Sequence, residues 1–378
     1  MIDFALDDEQ EILVRTVREF AREKVRPRLR ELERAGQVPA DLRATFAELG
    51  LALLEVPESE GGLGQSQVTA ALVHEELACG DAGAAVALFI SQPLVAALLE
   101  LADADQRARM LRDPIDPLGP MGGAVAVAGE VVARRAAGGY RLEGRQAWVV
   151  GGGRAVVLAD LQGEGPAAFF VADARPGARH ETLGLGAVRI GELLLDGCEV
   201  PEGDRLLGGG DLPAALQRFH ARYALINAAR QVGLGRAAYE YALLYAEQRT
   251  AFGKPVAHFQ ALAFLLADVH MDVESARWLV WRAASLWDRG APDALRLVAE
   301  AAVHAGEAAH RSAEAAVQIL GGAGYMRDHP VEKWMRDTRT LALLGASAER
   351  QRMLIAASLI GDPALADTGP ASLQPVIT

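Results

Sequence analysis

The stretch Arg249-Thr250-Ala251-Phe252-Gly253-Lys254-Pro255-Val256-Ala257-His258-Phe259-Gln260 joins two long runs of helical periodicity. Upstream, across 212–248, apolar residues recur at Leu225, Ala228, Val232, Leu234, Tyr239, Ala242 and Leu243; downstream the pattern resumes from Phe259 to Leu286. Gly253 and Pro255 punctuate the join. Arg249 falls in the last turn of the first helix, where any cation is favoured by the helix C-terminus. The segment also has the parts of a ligand cradle. A guanidinium offers a planar fork of donors to a pyrophosphate, Phe252 and Phe259 offer walls for an adenine, and Gln260 offers an amide for its edge.

A second segment follows some seventy residues on: Gln318-Ile319-Leu320-Gly321-Gly322-Ala323-Gly324-Tyr325, then Pro330, Glu332, Arg336 and Asp337. Read alone, Gly321 and Gly322 are a turn with a glycine helix cap. Beside a ligand, the same glycines let backbone come close, and Gln318 supplies another amide.

Taken together, in this order and at this separation, the two segments resemble the acyl-CoA dehydrogenase family of flavoproteins. The resemblance spans nearly the whole chain. It takes in the helical residues 1–112 and the Gly191-Glu192-Leu193-Leu194-Leu195-Asp196-Gly197-Cys198-Glu199-Val200-Pro201 stretch that ends the family's middle β-domain. It implies an α+β, mostly α fold: an N-terminal helical domain (1–112), a middle β-barrel-like domain (113–207), a C-terminal four-helix bundle (208–361) and a flexible tail (362–378). It also implies FAD, an acyl-CoA substrate, an electron-transfer flavoprotein as candidate acceptor, and an oligomer. In the family, the residues matching Arg249, Phe252, Phe259, Gln260, Gln318, Gly321 and Gly322 reach across a subunit interface to a neighbour's FAD.

The remaining residues agree with this division. The 378 residues suffice for two or three domains with cores of their own. A net charge of −12 argues against nucleic acid or an anionic membrane as main partner. Cys79 and Cys198 lack metal-type spacing, so neither a disulfide framework nor a cysteine zinc site is indicated, and both read as small buried apolar residues. The sequence reads as cytoplasmic, with no uninterrupted apolar segment of about eighteen residues.

Near the N-terminus, Asp7, Asp8 and Glu9 precede an amphipathic series that Pro27 should bend. Further helices are predicted after Pro39, over Gln67–Cys79, Ala82–Leu101 and Ala104–Arg112. Glu75 and Glu76 read as a solvated helix face. Between Asp113 and Leu207, short apolar runs alternate with glycine-rich punctuation, as in strands. Gly151-Gly152-Gly153 reads as a turn, since no phosphate-loop Lys-Ser/Thr follows. Four helical runs are predicted beyond: 212–248, 258–288, 294–320 and 330–358, with alanine-rich faces suited to close packing.

The resemblance breaks where the chemistry should sit. The family's α-proton is taken by a carboxylate that must lie within hydrogen-bond reach. Its usual place is eight residues past the aspartate of the Arg-Asp pair, which from Asp337 is Gly345. The other place lies twenty-six residues ahead of Arg249 and holds Tyr223, a phenol with a pKa near 10. Gly123–Glu130 lacks the family's Gly-Ser pair at the flavin, and Trp148-Val149-Val150 has valine where a hydroxyl would approach N5. Trp148 reads as core. Glu349 stands where a carboxylate would repel the chain's own cofactor.

Three readings follow. In the first, the chain is the non-catalytic subunit of a hetero-oligomeric acyl-CoA dehydrogenase, lending residues to FAD held by a second acyl-CoA dehydrogenase subunit. The second is a standalone flavoenzyme whose base is Tyr223, His220 or Glu349, and the third is a cofactor-free scaffold.

Overall fold

The computed structural model describes residues 5–111, the backbone of 124–126, and residues 131–344 and 347–365. Helix α1 (Asp8–Phe20) opens on a capping box between Asp7 and Gln10, with acids in its first turn beside the positive end of the helix. It buries Val14, Val17 and Phe20. Ahead of Pro27 the helix loosens into a π turn (Ala21–Val25) and then a 3-10 turn (Arg26–Arg28), because proline cannot donate to the ladder. Next come α2 (Leu29–Ala35), α3 (Ala40–Glu48), α4 (Gln67–Gly80), α5 (Ala82–Leu88), α6 (Gln92–Leu101) and α7 (Ala104–Met110). The predicted helix over 82–101 is thus two, bent by 53°. Among the described residues no single helix is long and apolar enough to cross a membrane; the α5–α6 pair qualifies only jointly, and most of its side chains are buried in protein.

The middle region holds β1 (Ala124–Ala126), β2 (Val131–Ala136), β3 (Gly139–Val150), β4 (Gly153–Leu161), β5 (Gly165–Arg179), β6 (Ile190–Leu194), β7 (Cys198–Pro201) and β8 (Arg205–Leu206). Pairing runs β4–β2–β3–β6–β5 and returns from β5 to β4, so five strands close a circuit. Alternating inward residues such as Tyr140, Leu142, Val157, Phe169 and Leu193 fill it. Cys79 is buried, whereas Cys198 is half-buried.

Three long helices follow, α8 (Leu212–Gln248), α9 (Gln260–Asp288) and α10 (Ala294–Leu320), and then a shorter pair, α11 (Val331–Leu341) and α12 (Ala348–Ile360). The single run expected at 330–358 is split. Ser347 caps α12 by accepting from the Arg350 N–H, which starts a new helix there. The tail residues 366–378 lie outside the described residues.

Glu75 and Glu76 overturn their reading as a solvated face, being 3% and 4% exposed. α4 is surrounded by α1, α8 and α9, so it has no solvent face at that turn. The Glu76 carboxylate accepts from Arg18 (2.9 Å) and Arg236 (2.7 Å); Glu75 accepts from Arg236 (2.7 Å) and Arg277 (3.0 Å). These cations come from α1, α8 and α9, far off in sequence. Burial pushes the Glu75 carboxyl above its usual range. For Glu76 burial pushes the same way, but Arg18 and Arg236 outweigh it and hold the carboxyl at about 2.

A carboxyl depressed from 4.5 to about 2 stabilises the fold above pH 4.5, and that contribution is lost as pH falls toward 2. Glu76→Gln should lower the unfolding free energy by about 3 kcal/mol at pH 7. In urea titrations between pH 7 and 3, the gap between variant and wild type should narrow only below pH 4.5; a pH-independent gap would assign the loss to packing.

Candidate functional site

α8 ends as the Arg249 N–H donates to the Tyr245 carbonyl (2.8 Å) and the backbone turns extended. A small hairpin follows, β9 (Thr250–Ala251) against β10 (Lys254–Pro255), with Ala251 opposite Lys254. Its two turn residues, Phe252 (φ 51°) and Gly253 (φ 80°), both have positive φ, as the twist of a tight two-residue hairpin requires. Glycine takes this conformation freely; Phe252 is strained by it. The ring it presents is 95% exposed and meets Phe259 edge-on at 6.2 Å. Lys254 lies over the Phe259 ring at 4.4 Å. The Val256 N–H returns to the Arg249 carbonyl (2.8 Å), tying the hairpin to the helix end.

α10 ends at Leu320, and Gly321 (φ 57°) leads into a 3-10 turn, Gly321–Tyr325. Gln318, Gly321 and Gly322 are exposed. At Gly322 an added Cβ would meet nothing within 4 Å among the described residues, whose packing does not demand glycine there. The two segments share a foundation: Val256 belongs to the same buried cluster as Ile319 and Leu320. From it Arg249, Phe252, Gln260, Gln318 and Gly322 face outward, while Phe259 is half-buried against the cluster. A guanidinium, an aromatic face, amides and open glycines fit the pyrophosphate and adenine of a dinucleotide lying against the outside of the chain.

The inner side differs. Trp148 is half-buried, stacked at 5.6 Å and 17° on His180, which the sequence reading passed over. Its indole Nε1 is buried without a hydrogen-bond partner among the described residues. Val149 and Val150 are core. Of Gly123–Glu130, only the backbone of 124–126 lies within the described residues, as a strand on β4.

The three substitute bases sit in different surroundings. Tyr223 is 7% exposed, its ring parallel to Phe219 at 6.3 Å. Burial pushes its phenol further above the ordinary value, against a smaller opposing pull from Arg230. His220 is buried, and burial together with the Arg350 charge pushes it down to about 3, so it stays neutral at pH 7. Glu349 is exposed in the first turn of α12, beside a cleft of about 330 Å³ among α8, α10, α11 and α12. Backbone and Ser347 hydrogen bonds hold its carboxyl below the usual range. Gly345 lies outside the described residues; it carries no carboxylate in any conformation.

Residues 7–116 match the family model for the acyl-CoA dehydrogenase N-terminal domain, and residues 214–360 the model for the C-terminal domain. The chain is 33% identical to an acyl-CoA dehydrogenase of Bacillus subtilis, over 93% of this chain and 98% of that one. It is 31% identical to the mitochondrial short-chain specific acyl-CoA dehydrogenase of Homo sapiens, over 94% of this chain and 91% of that one. This chain belongs to the acyl-CoA dehydrogenase family. Butyryl-CoA dehydrogenase from Megasphaera elsdenii has the same fold, with a TM-score of 0.87 at 27% identity over 95% of this chain and 100% of that one.

Within the acyl-CoA dehydrogenase fold, sequence reasoning missed Arg230, which lies against Tyr223 in the interior. An arginine within the apolar periodicity of α8 was its only signal. On the outer side, Phe252→Gly should change stability by no more than about 1 kcal/mol, since relief of a positive φ is offset by a freer unfolded chain. A urea-unfolding loss above roughly 2 kcal/mol would instead give the exposed ring a structural role.

Proposed function

We propose that this chain is the non-catalytic subunit of a hetero-oligomeric acyl-CoA dehydrogenase. In this reading it lends Arg249, Phe252, Gln318 and Gly322 to FAD whose flavin is seated in a partner subunit, with Phe259, Gln260 and Gly321 framing the same cradle. The carrying observation is an asymmetry. The outward residues of the cradle are exposed, with Phe259 half-buried beneath them, while the positions for a base hold a glycine and a buried phenol pushed away from ionisation.

The bound FAD would accept the β-hydrogen of an acyl-CoA as hydride, and the partner's carboxylate would take the α-proton. This chain's part is electrostatic and positional. Arg249 carries a charge no shorter side chain could extend to a phosphate, and Gln260 and Gln318 carry paired donors and acceptors for an adenine edge. By analogy with two-gene members of the family, a bulky acyl-CoA such as a steroid side chain is the proposed substrate of the complex. An electron-transfer flavoprotein is its proposed acceptor, and the cytoplasm its proposed compartment.

Purified alone, the chain should be colourless and inactive. Co-expressed with a dehydrogenase subunit carrying the glutamate, it should yield a yellow complex that bleaches on adding acyl-CoA. Arg249→Ala should lower the flavin content of that complex about tenfold or more, as loss of one charge-assisted contact implies. Gly345→Glu should leave the isolated chain inactive. Yellow isolated chain with dehydrogenase activity would overturn the proposal in favour of a standalone enzyme, and colourless protein that no partner rescues in favour of a scaffold.

A further inference from the structure

Arg230 is among the largest fully buried side chains, 1% exposed, on the inner face of α8. Its Nη1 donates to Asn227 Oδ1 (2.9 Å), and the Asn227 amide is in turn held by the Leu344 carbonyl (3.1 Å). The Tyr223 phenol lies against it. Among the described residues the other edge of the guanidinium, Nε and Nη2, has no hydrogen-bond partner. Those two nitrogens form one side of the planar fork, with parallel N–H bonds spaced for the two oxygens of a carboxylate.

Among the described residues Arg230 forms no ion pair. Glu55, the acid that acts on it, is already engaged by Arg222 and Gln67. His74, facing Arg230 from α4, is buried, has an unpartnered Nδ1, and is kept neutral by burial and then by the Arg230 charge. Burial lowers the guanidinium to about 10, so it remains a cation at neutral pH. A buried cation with two unpartnered nitrogens is destabilising unless something supplies the missing hydrogen bonds. Two other buried cations are paired among the described residues: Arg236 has Glu75 and Glu76, and Lys333 has Asp81 and Asp337.

We propose that the free edge of Arg230 is a recognition site for a single carboxylate, which makes the chain selective for a ligand bearing one. The geometry favours a monoanion. One cation and one free fork balance one planar carboxylate, whereas a phosphate dianion would leave excess charge and unmatched oxygens beside Tyr223, Asn227 and His74, which are neutral. The carboxylate comes either from a small free acid or from the far end of a dicarboxylic acyl group on CoA. As an anion site the inference stands alone; as selectivity for the acyl group it rests on the acyl-CoA reading above.

The test is calorimetric titration of the full chain with glutaryl-CoA, butyryl-CoA and free glutarate. A charge-assisted bidentate contact should make glutaryl-CoA bind about tenfold or more tighter than butyryl-CoA if the acyl group carries the carboxylate. If the ligand is a free acid, glutarate itself should bind. Arg230→Met should abolish either preference while Arg230→Lys retains part of it. Equal affinity of the wild type for the two thioesters with no binding of glutarate would overturn the proposal, and this needs no variant to fold. Neither flavin nor a partner subunit enters the measurement, so it can fail while the shared-FAD reading stands, and the reverse.

Discussion

Three parts of the chain are held in register by one buried cation. Lys333 on α11 is 1% exposed and donates to Asp81 (2.5 Å), which caps α5, and to Asp337 one turn along its own helix (2.6 Å). The second oxygen of Asp337 accepts the Leu185 N–H from the β-region (2.7 Å). Burial works against the ammonium, but the two carboxylates outweigh it and hold Lys333 charged, above its ordinary range. Gly184 makes the approach feasible, since a Cβ there would lie 2.4 Å from the Arg336 carbonyl. Such a triad need not add net stability, yet losing one partner costs about 3–5 kcal/mol because a buried charge is stranded. That penalty fixes where α11 stands relative to α5 and the strands.

The fixed junction gives the chain two unlike sides. Outward, the hairpin after α8 and the turn after α10 stand on one apolar cluster and present a cationic, aromatic and amide surface. Inward, the interior near Tyr223 carries positive rather than negative charge: Arg230 and Arg350 are both lowered by burial, and His220 is neutral. A general base needs a proton affinity matched to its task. A carboxylate placed among these cations would instead be held ionised and a weak base.

The same contrast separates the buried charges by purpose. Arg236 and Lys333 are surrounded by acids and serve as fasteners, with every charge answered by its opposite. Arg230 shares their burial but not their compensation. A cation that folding leaves unanswered is tolerated when something outside the chain can answer it, which is the pattern of a recognition group and not of a fastener.

The sequence by itself determined the helices of the C-terminal half, because their apolar spacing is local and strong; α8, α9 and α10 fall within two residues of the expected spans. It determined that Gly345 carries no carboxylate, which no folding can reverse. Strand β2 (Val131–Ala136) escaped notice because Arg134 and Arg135 break its alternation, and its partner β3 supplies what its own pattern lacks. Only the tertiary structure decided that Glu75 and Glu76 are interior, since the arginines that neutralise them come from three other helices. It alone decided that Arg230 is buried with its Nε and Nη2 donors unused among the described residues. Periodicity reports which face of a helix is apolar, but whether a charge is buried depends on what distant segments bring against it.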